Sequence, residues 1–354
     1  FLQYVVDQKA SDLHMKAGGP PYVRVNGRLA KTHFGVLTAA DCERAAMELM
    51  NDAQARQFKD KGEADFAYSE HGLGRFRINV FRQRGSVALA CRRVLPGSPS
   101  FETLGLPSAV KLLAQEQRGM VLVTGPTSSG KTTTTAAMIN HINAHRSCHV
   151  LTIEDPIEIL HPDRTAIVNQ REIGQDTEDF AVALRAAMRQ DPDVIFVGEI
   201  RDPETVKAAL QAAETGHLVI STLHTTDVSE TINRVIDFFP PHQQKQIRVS
   251  LSASLKGIVS QRLIPRKDGR GLVTAVEVLV MNGRVRDLIL DSEKTHLLKD
   301  LIAESGFYGM QTFDQALLDL YKQEQVSMDE AIRYSTSPHD FQMALRAEGL
   351  QPVS

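Results

Sequence analysis

The sequence predicts an α/β protein in two parts, a small α+β N-terminal domain ahead of an α/β core with a helical C-terminal region. Three observations carry that reading. The chain has 354 residues, more than one hydrophobic core ordinarily fills, since domains run about 100 to 200 residues. Its first hundred residues contain alternating, β-rich stretches around turn signals, the period of half-buried strands. Beyond them, the short apolar runs at residues 120–124, 149–153, 194–197 and 217–221 are separated by longer helix-like segments. Near-continuous apolarity of this kind is how strands buried on both faces of a parallel sheet read.

Taken in order, residues 22–29 alternate around Asn26-Gly27, a pair that supplies the positive φ of a type I′ hairpin turn. Thr38 followed by Asp41 gives a capping-box signal for a helix over residues 39–58,. Strands follow at 64–69, 75–84 and 86–94, with turns at 71–74 and 84–86,. Turn formers concentrate at residues 95–100, which places a linker over 97–107 after an N-terminal domain of residues 1–96. The core then occupies 108–280. From about residue 228 the chain reads as mainly helical, with one further strand at 273–280, and residues 281–354 form a helical C-terminal region.

Composition narrows the function classes. With 42% hydrophobic and 23% charged residues, the chain is neither disordered nor fibrous. Forty basic against 43 acidic residues leave a net charge of −3, without the basic excess that binds phosphate backbones, so no nucleic-acid partner is expected. The three cysteines (Cys42, Cys91, Cys148) form no CxxC pair; neither a disulfide framework nor a four-cysteine zinc site follows, and a cytoplasmic location fits. No apolar run reaches the ~18 residues of a membrane-spanning helix, so membrane contact is expected to be peripheral. The chain opens on Phe1 rather than Met, so residues are expected upstream.

Gly125-Pro126-Thr127-Ser128-Ser129-Gly130-Lys131-Thr132 matches G-x-x-x-x-G-K-[ST] in full, between a strand and a helix start that includes Thr133. Such a loop curls backbone N–H groups round phosphates, its lysine neutralises the β- and γ-phosphates, and its Thr hydroxyl ligates Mg²⁺. ATP and Mg²⁺ are therefore the expected cofactors. Residues 194–197 deliver Glu199 about seventy positions later, where a Walker B carboxylate would hold metal or polarise water,. Residues 153–158 put Glu154 and Asp155 at another strand's C-terminal end,. His217 and His224 bracket a further strand.

These segments together resemble the type II/IV secretion ATPases and, within them, the type IV pilus retraction, or twitching-motility, ATPases. The resemblance rests on the Walker A loop, the Asp box TIEDPIE (residues 152–158), the Walker B segment RQDPDVIFVGEIRD (189–202) and the His box AETGHLVISTLHTTD (213–227). It extends through SDLHMKAGGPP, RFRINVF, VNQREIG and GMQTFDQAL. It implies a PAS-like N-terminal domain joined to a RecA-like P-loop ATPase core, assembled as a homo-hexamer at the inner membrane on a pilus platform protein. By the same resemblance Thr127 to Thr133 bind nucleotide, and Thr132, Glu199 and Glu154 share metal binding and water activation. His224 would sense the γ-phosphate, and His217 and Arg201 would link the nucleotide to the neighbouring subunit. Arg75, Arg77 and Arg93 match the family's trans-acting arginines. Arg75 and Arg77 fall on one strand face, opposite Phe76, Ile78 and Val80,.

Two departures stand out. The family's loop reads GPTGSGKST where this chain has Ser128 and Thr132, and its AIRNLIRE segment is replaced by residues 283–291. Besides a retraction motor, the readings left open are an accessory paralogue that acts by co-assembly, a related secretion-system ATPase, and a RecA-type nucleic-acid translocase.

Overall fold

The computed structural model describes residues 1–25, 28–94, 97 and 99–350. The Asn26-Gly27 turn and residues 95, 96 and 98 of the turn-rich stretch lie outside the described residues. Contacts divide the chain into two units, residues 1–96 with 158–160 and residues 97–157 with 161–354.

The first unit is built on strands β1 (Asp12–Lys16), β2 (Tyr22–Val25), β3 (Arg28–Lys31), β4 (Glu63–Glu70), β5 (Gly74–Gln83) and β6 (Ser86–Val94), in the antiparallel order β3-β2-β1-β6-β5-β4. One sheet face, including Leu13, Phe66, Phe76, Ile78, Val80 and Leu89, buries against Cys42, Ala46 and Phe58 of two helices. The other face carries Asp12, Arg24, Asp65, Arg75, Arg77 and Arg92, in the register set by the cross-strand pairs. β5 turns into β6 through Arg84 and Gly85, at φ +49° and +77°, a pair of left-handed residues whose twist matches that of the strands.

The single helix expected over 39–58 is two, Ala39–Leu49 and Asp52–Lys61. Asn51 breaks it: its side chain accepts from Ala53 N–H and Gln54 N–H, and Gln54 caps it in return, so the polar residue spends its hydrogen bonds starting a new helix. The Thr38–Asp41 capping box forms. Strand β1 and the short helix Leu2–Asp7 were not foreseen.

The second unit holds seven strands: β7 (Gly119–Thr124), β8 (His149–Glu154), β9 (Ile167–Glu172), β10 (Val194–Val197), β11 (Leu218–Leu223), β12 (Leu255–Pro265) and β13 (Leu272–Val280). Their order is β13-β12-β7-β11-β10-β8-β9, parallel except for β13. Successive residues of β7 feed two cores. Met120 and Leu122 pack with the helices Pro203–Glu214 and Val228–Asp237, while Val121 and Val123 pack with the helix Lys131–His145. Each buried aliphatic side chain contributes about 1.5 to 3 kcal/mol, and the polar residues buried in these strands, such as Thr124 and Ser221, are hydrogen-bonded.

β12 corrects the reading of a mainly helical stretch beyond 228 with a single strand at 273–280. It completes the sheet between β7 and β13, and Gly257 is what lets it in. A Cβ there would lie 2.6 Å from both Leu113 Cδ2 and the Leu279 carbonyl oxygen. Outside this sheet Phe313, Leu317, Phe341 and Leu345 of the C-terminal helices cluster with Ile264 and Val273. Among the described residues no helix is long and apolar enough to cross a membrane.

Candidate active site

Because β7, β8, β10 and β11 run in one direction, the loops that follow them emerge at a single sheet edge, where open parallel sheets bind ligands. The loop after β7 begins at Gly125 with φ +147°, where a Cβ would come within 2.4 Å of Ser129 Oγ and 2.6 Å of the Gln261 carbonyl oxygen; only glycine passes this point. Ser128 sits at φ +63°, a conformation that glycine adopts without steric cost. Lys131 starts the helix Lys131–His145, and its Nζ donates to the carbonyl oxygens of Gly125 (2.8 Å) and Pro126 (2.9 Å). The ammonium is thus folded into the loop, at a helix N-terminus that adds positive potential.

Glu199 leaves the end of β10 with its side chain 15% exposed; one oxygen pairs with Arg201 and the other stands 3.7 Å from His224 Nε2. Arg201 also reaches Asp155 at 3.8 Å. Burial, and then the Lys131 ammonium, hold the His224 imidazole below its usual pKa, against the opposing pull of Glu199. That favours a neutral ring. Glu154 is buried and accepts from Thr152 Oγ1 (2.7 Å) and Gln170 Nε2 (3.0 Å). Gly198 N–H donates to the Ile153 carbonyl at 2.8 Å, and a Cβ on Gly198 would lie 3.4 Å from Glu154 Cα, so the two acidic strand ends run side by side.

Other expected residues fall at varied distances from this edge. Thr127 and Ser128 are exposed at the loop tip, while Gly130, Thr132 and Thr133 are half-buried along the helix start. His217 is not brought to this edge. It precedes β11, its Nδ1 lies 2.9 Å from the Ala212 carbonyl oxygen, and a six-residue strand separates it from His224. In the first unit, Arg77 makes a two-pronged pair with Asp65 (Nη2–Oδ2 2.6 Å, Nε–Oδ1 3.1 Å) and Arg75 Nη1 donates to Ser69 Oγ at 3.3 Å. Arg93 pairs across the sheet with Phe76 and so stands on the opposite face; the arginine beside Arg77 is Arg92, bonded to Asp12 at 2.9 Å.

The residues present fit a nucleotide with its divalent metal. Ser129 Oγ is buried without a hydrogen-bond partner, leaving an unused donor within the phosphate loop. A cavity of about 400 Å³ opens beside Gly130 and Thr133, lined also by Leu263, Arg266 and Thr274, within the size range of small-molecule sites. Thr132 offers a hydroxyl at the loop's end, and Glu199 a carboxylate across from Lys131 through His224.

The description of the family "Type II/IV secretion system protein" matches residues 100–278. The type IV pilus ATPase PilU of Pseudomonas aeruginosa is 41% identical over 98% of this chain and 90% of its own. The chain belongs to the type II/IV secretion system protein family. Within that family, the type IV pilus retraction ATPase PilT of the same organism is 42% identical, over 96% of this chain and 98% of its own. The crystal structure of the pilus retraction motor PilT with bound ADP superposes with a TM-score of 0.88 at 46% identity, covering 96% of this chain and 97% of that one. The likeness extends through both units, so the fold is that of a RecA-like ATPase of this family with its N-terminal domain.

Sequence reading missed the residues that hold these groups in place. Gln170 donates to Glu154, and Glu172, 3% exposed, accepts the Ile157 N–H at 2.9 Å, anchoring the Asp box from β9. β9 is a sheet edge and therefore lacks the apolar run by which its neighbours were found; its segment was legible only within the resemblance.

Proposed function

We propose that this ATPase drives retraction of a type IV pilus, as a Mg²⁺-dependent homo-hexamer that works on a platform protein at the inner membrane. The observation that carries it is the meeting of the Lys131 loop, Glu199, Glu154 and His224 at one sheet edge, in a chain alike over nearly its whole length to a pilus retraction motor. In this reading residues 1–96 and 108–280 are the two working domains.

Lys131 and the loop amides bind the phosphates, and Thr132 together with one of the glutamates Glu199 and Glu154 would hold the metal, which when bound neutralises charge on the phosphates. Glu199 and Glu154 orient the attacking water and take its proton, one as base and one as metal partner. His224, kept neutral, offers Nε2 to the γ-phosphate, and Arg201 exchanges its bond to Glu199 for one that follows the nucleotide. Positioning and charge neutralisation do the catalysis, since phosphoryl transfer needs little covalent help. Arg75 and Arg77 complete a neighbour's site from a sheet face already rich in guanidiniums. Their partners include the exposed Asp65 carboxylate and Ser69 hydroxyl, and surface pairs of this kind are worth about 1 kcal/mol or less. Arg93 would act from the other face, and His217 toward the neighbouring subunit rather than in its own site.

Deleting the gene in its host tests the reading: surface pili in excess with twitching lost supports retraction, whereas bald cells refute it. The near-equal identity to PilU, with the divergent segment at residues 283–291, favours a second reading, in which this chain acts by co-assembly with a paralogous retraction ATPase. Turnover by the purified protein alone, compared with turnover in the presence of the paralogue, separates the two.

A further inference from the structure

β13 buries a carboxylate that none of these roles uses. Glu277 is 4% exposed and lies opposite Ser260 of β12. Its Oε1 accepts the Val228 N–H at 2.9 Å, and its carboxylate also accepts the N–H of Phe313. These amides open the helices Val228–Asp237 and Phe313–Lys322, where no intrahelical acceptor exists. Only Thr225, Thr226 and Asp227 separate the first of these helices from His224.

A second line of contacts reaches the same helix. Thr124, the residue before Gly125, lies 2.8 Å from Ser260, hydroxyl to hydroxyl. Thr231 bonds the Asp227 carbonyl at 2.6 Å, stands 2.7 Å from the Thr225 hydroxyl and reaches Thr124 at 3.4 Å. The phosphate loop, β12 and the segment carrying His224 therefore share one buried polar belt, with Glu277 beside it.

We propose that Glu277 is a positioning residue of the nucleotide site: its ionised carboxylate fixes the start of the helix Val228–Asp237, and with it the segment that holds His224 against Glu199, and ties that segment to the C-terminal helix Phe313–Lys322. This rests on the ATPase reading of the site. The charge matters because an ionised carboxylate only accepts, whereas its protonated form and an amide each turn one end into a donor, which two converging N–H groups cannot use. Burial pushes the Glu277 carboxyl up to about 7, with Asp227 raising it further and the Val228 and Phe313 amides and Arg262 opposing. Arg262 in turn faces Asp314 and Asp227 and lies over the Phe313 ring at 3.9 Å.

The test compares the full chain with Glu277→Gln at pH 6 and pH 8, by ATP turnover, thermal melting, and hydrogen exchange of residues 224–231. At pH 8 kcat falls about tenfold, equivalent to ~1.4 kcal/mol of barrier, with KM little changed. The melting temperature is no lower, since a costly buried charge is gone, yet residues 224–231 exchange faster. At pH 6, where Glu277 is largely protonated, the two proteins converge in turnover. Equal turnover at both pH values, or a constant ratio accompanied by a lower melting temperature, overturns the proposal. So does unchanged exchange at pH 8, a result that needs no ATPase activity; failure of the unaltered chain to hydrolyse ATP refutes the proposed function instead.

Discussion

Lys131 shows what a side chain at this site can be asked to do. Its Nζ donates to two loop carbonyls, which water can replace, so Lys131→Ala is expected to leave circular dichroism unchanged while abolishing turnover and weakening nucleotide binding. Normal hydrolysis by that variant would remove the nucleotide-site assignment. Glu199→Gln keeps shape but loses the charge that holds Arg201 and faces His224. It is expected to bind ATP and hydrolyse it 10² to 10⁴-fold more slowly, roughly the range of general acid–base effects. If Glu154→Gln has that effect and Glu199→Gln does not, the base is the carboxylate held by Gln170. At this scale legibility followed contiguity. Lys131 and Glu199 were found because each sits in a compact run with its own spacing. Gln170 and Glu277 were not, because each serves a group contributed by a different element. Arg93 and Arg92 differ by one position, and only the β5–β6 register decides which of them stands beside Arg77.

Among the elements, the four central strands were legible because burial on both faces favours near-continuous apolar runs, which loops and surface helices lack. β12 escaped because its polar residues, Ser260 and Gln261, are buried with hydrogen-bond partners in the belt beneath the phosphate loop, and so mimic a surface pattern. The strand also depends on a missing side chain. Gly257→Ala forces a methyl against Leu113 and the Leu279 carbonyl, and overpacking of this kind costs about 1 to 3 kcal/mol. Denaturant melts should show a midpoint shift of that size with an unchanged slope. A neutral result would mean that Leu113 and β13 yield more easily than a packed sheet should.

For the molecule as a whole, two buried groups make opposite demands on pH. Burial, and then Arg164, push the His161 imidazole down to about 4, so the unfolded chain binds the proton first and stability is lost as pH falls from 6.5 toward 4. Glu277, raised to about 7, loses stability as pH rises from 4.5 toward 7, because the unfolded chain releases its proton first. The windows overlap and partly cancel. Glu277→Gln removes one of them, so its melting temperature should fall more steeply than that of the unaltered chain between pH 6.5 and 4.5; parallel curves would contradict the burial of Glu277 as a proton-binding group. Assembly gives a further test. A trans-acting arginine is worth about 10³ to 10⁵ in kcat where one operates, so mixtures of Arg75→Ala and Lys131→Ala subunits, each inactive alone, should regain activity in shared rings. No recovery in rings shown to be mixed would place Arg75 in cis or in a purely structural role.

β11 has a mechanical meaning that its chemistry does not reveal. It is buried along its whole length and hydrogen-bonded on both sides, to β7 and β10, with His224 just beyond one end and His217 just before the other. Six residues of strand span about 20 Å, and a segment clamped on both flanks can neither bend nor shorten, so it behaves as a push-rod. Whatever displacement a nucleotide imposes at the His224 end should emerge undiminished at the far edge. A fluorophore attached at residue 215 should therefore report nucleotide binding in a place no nucleotide touches.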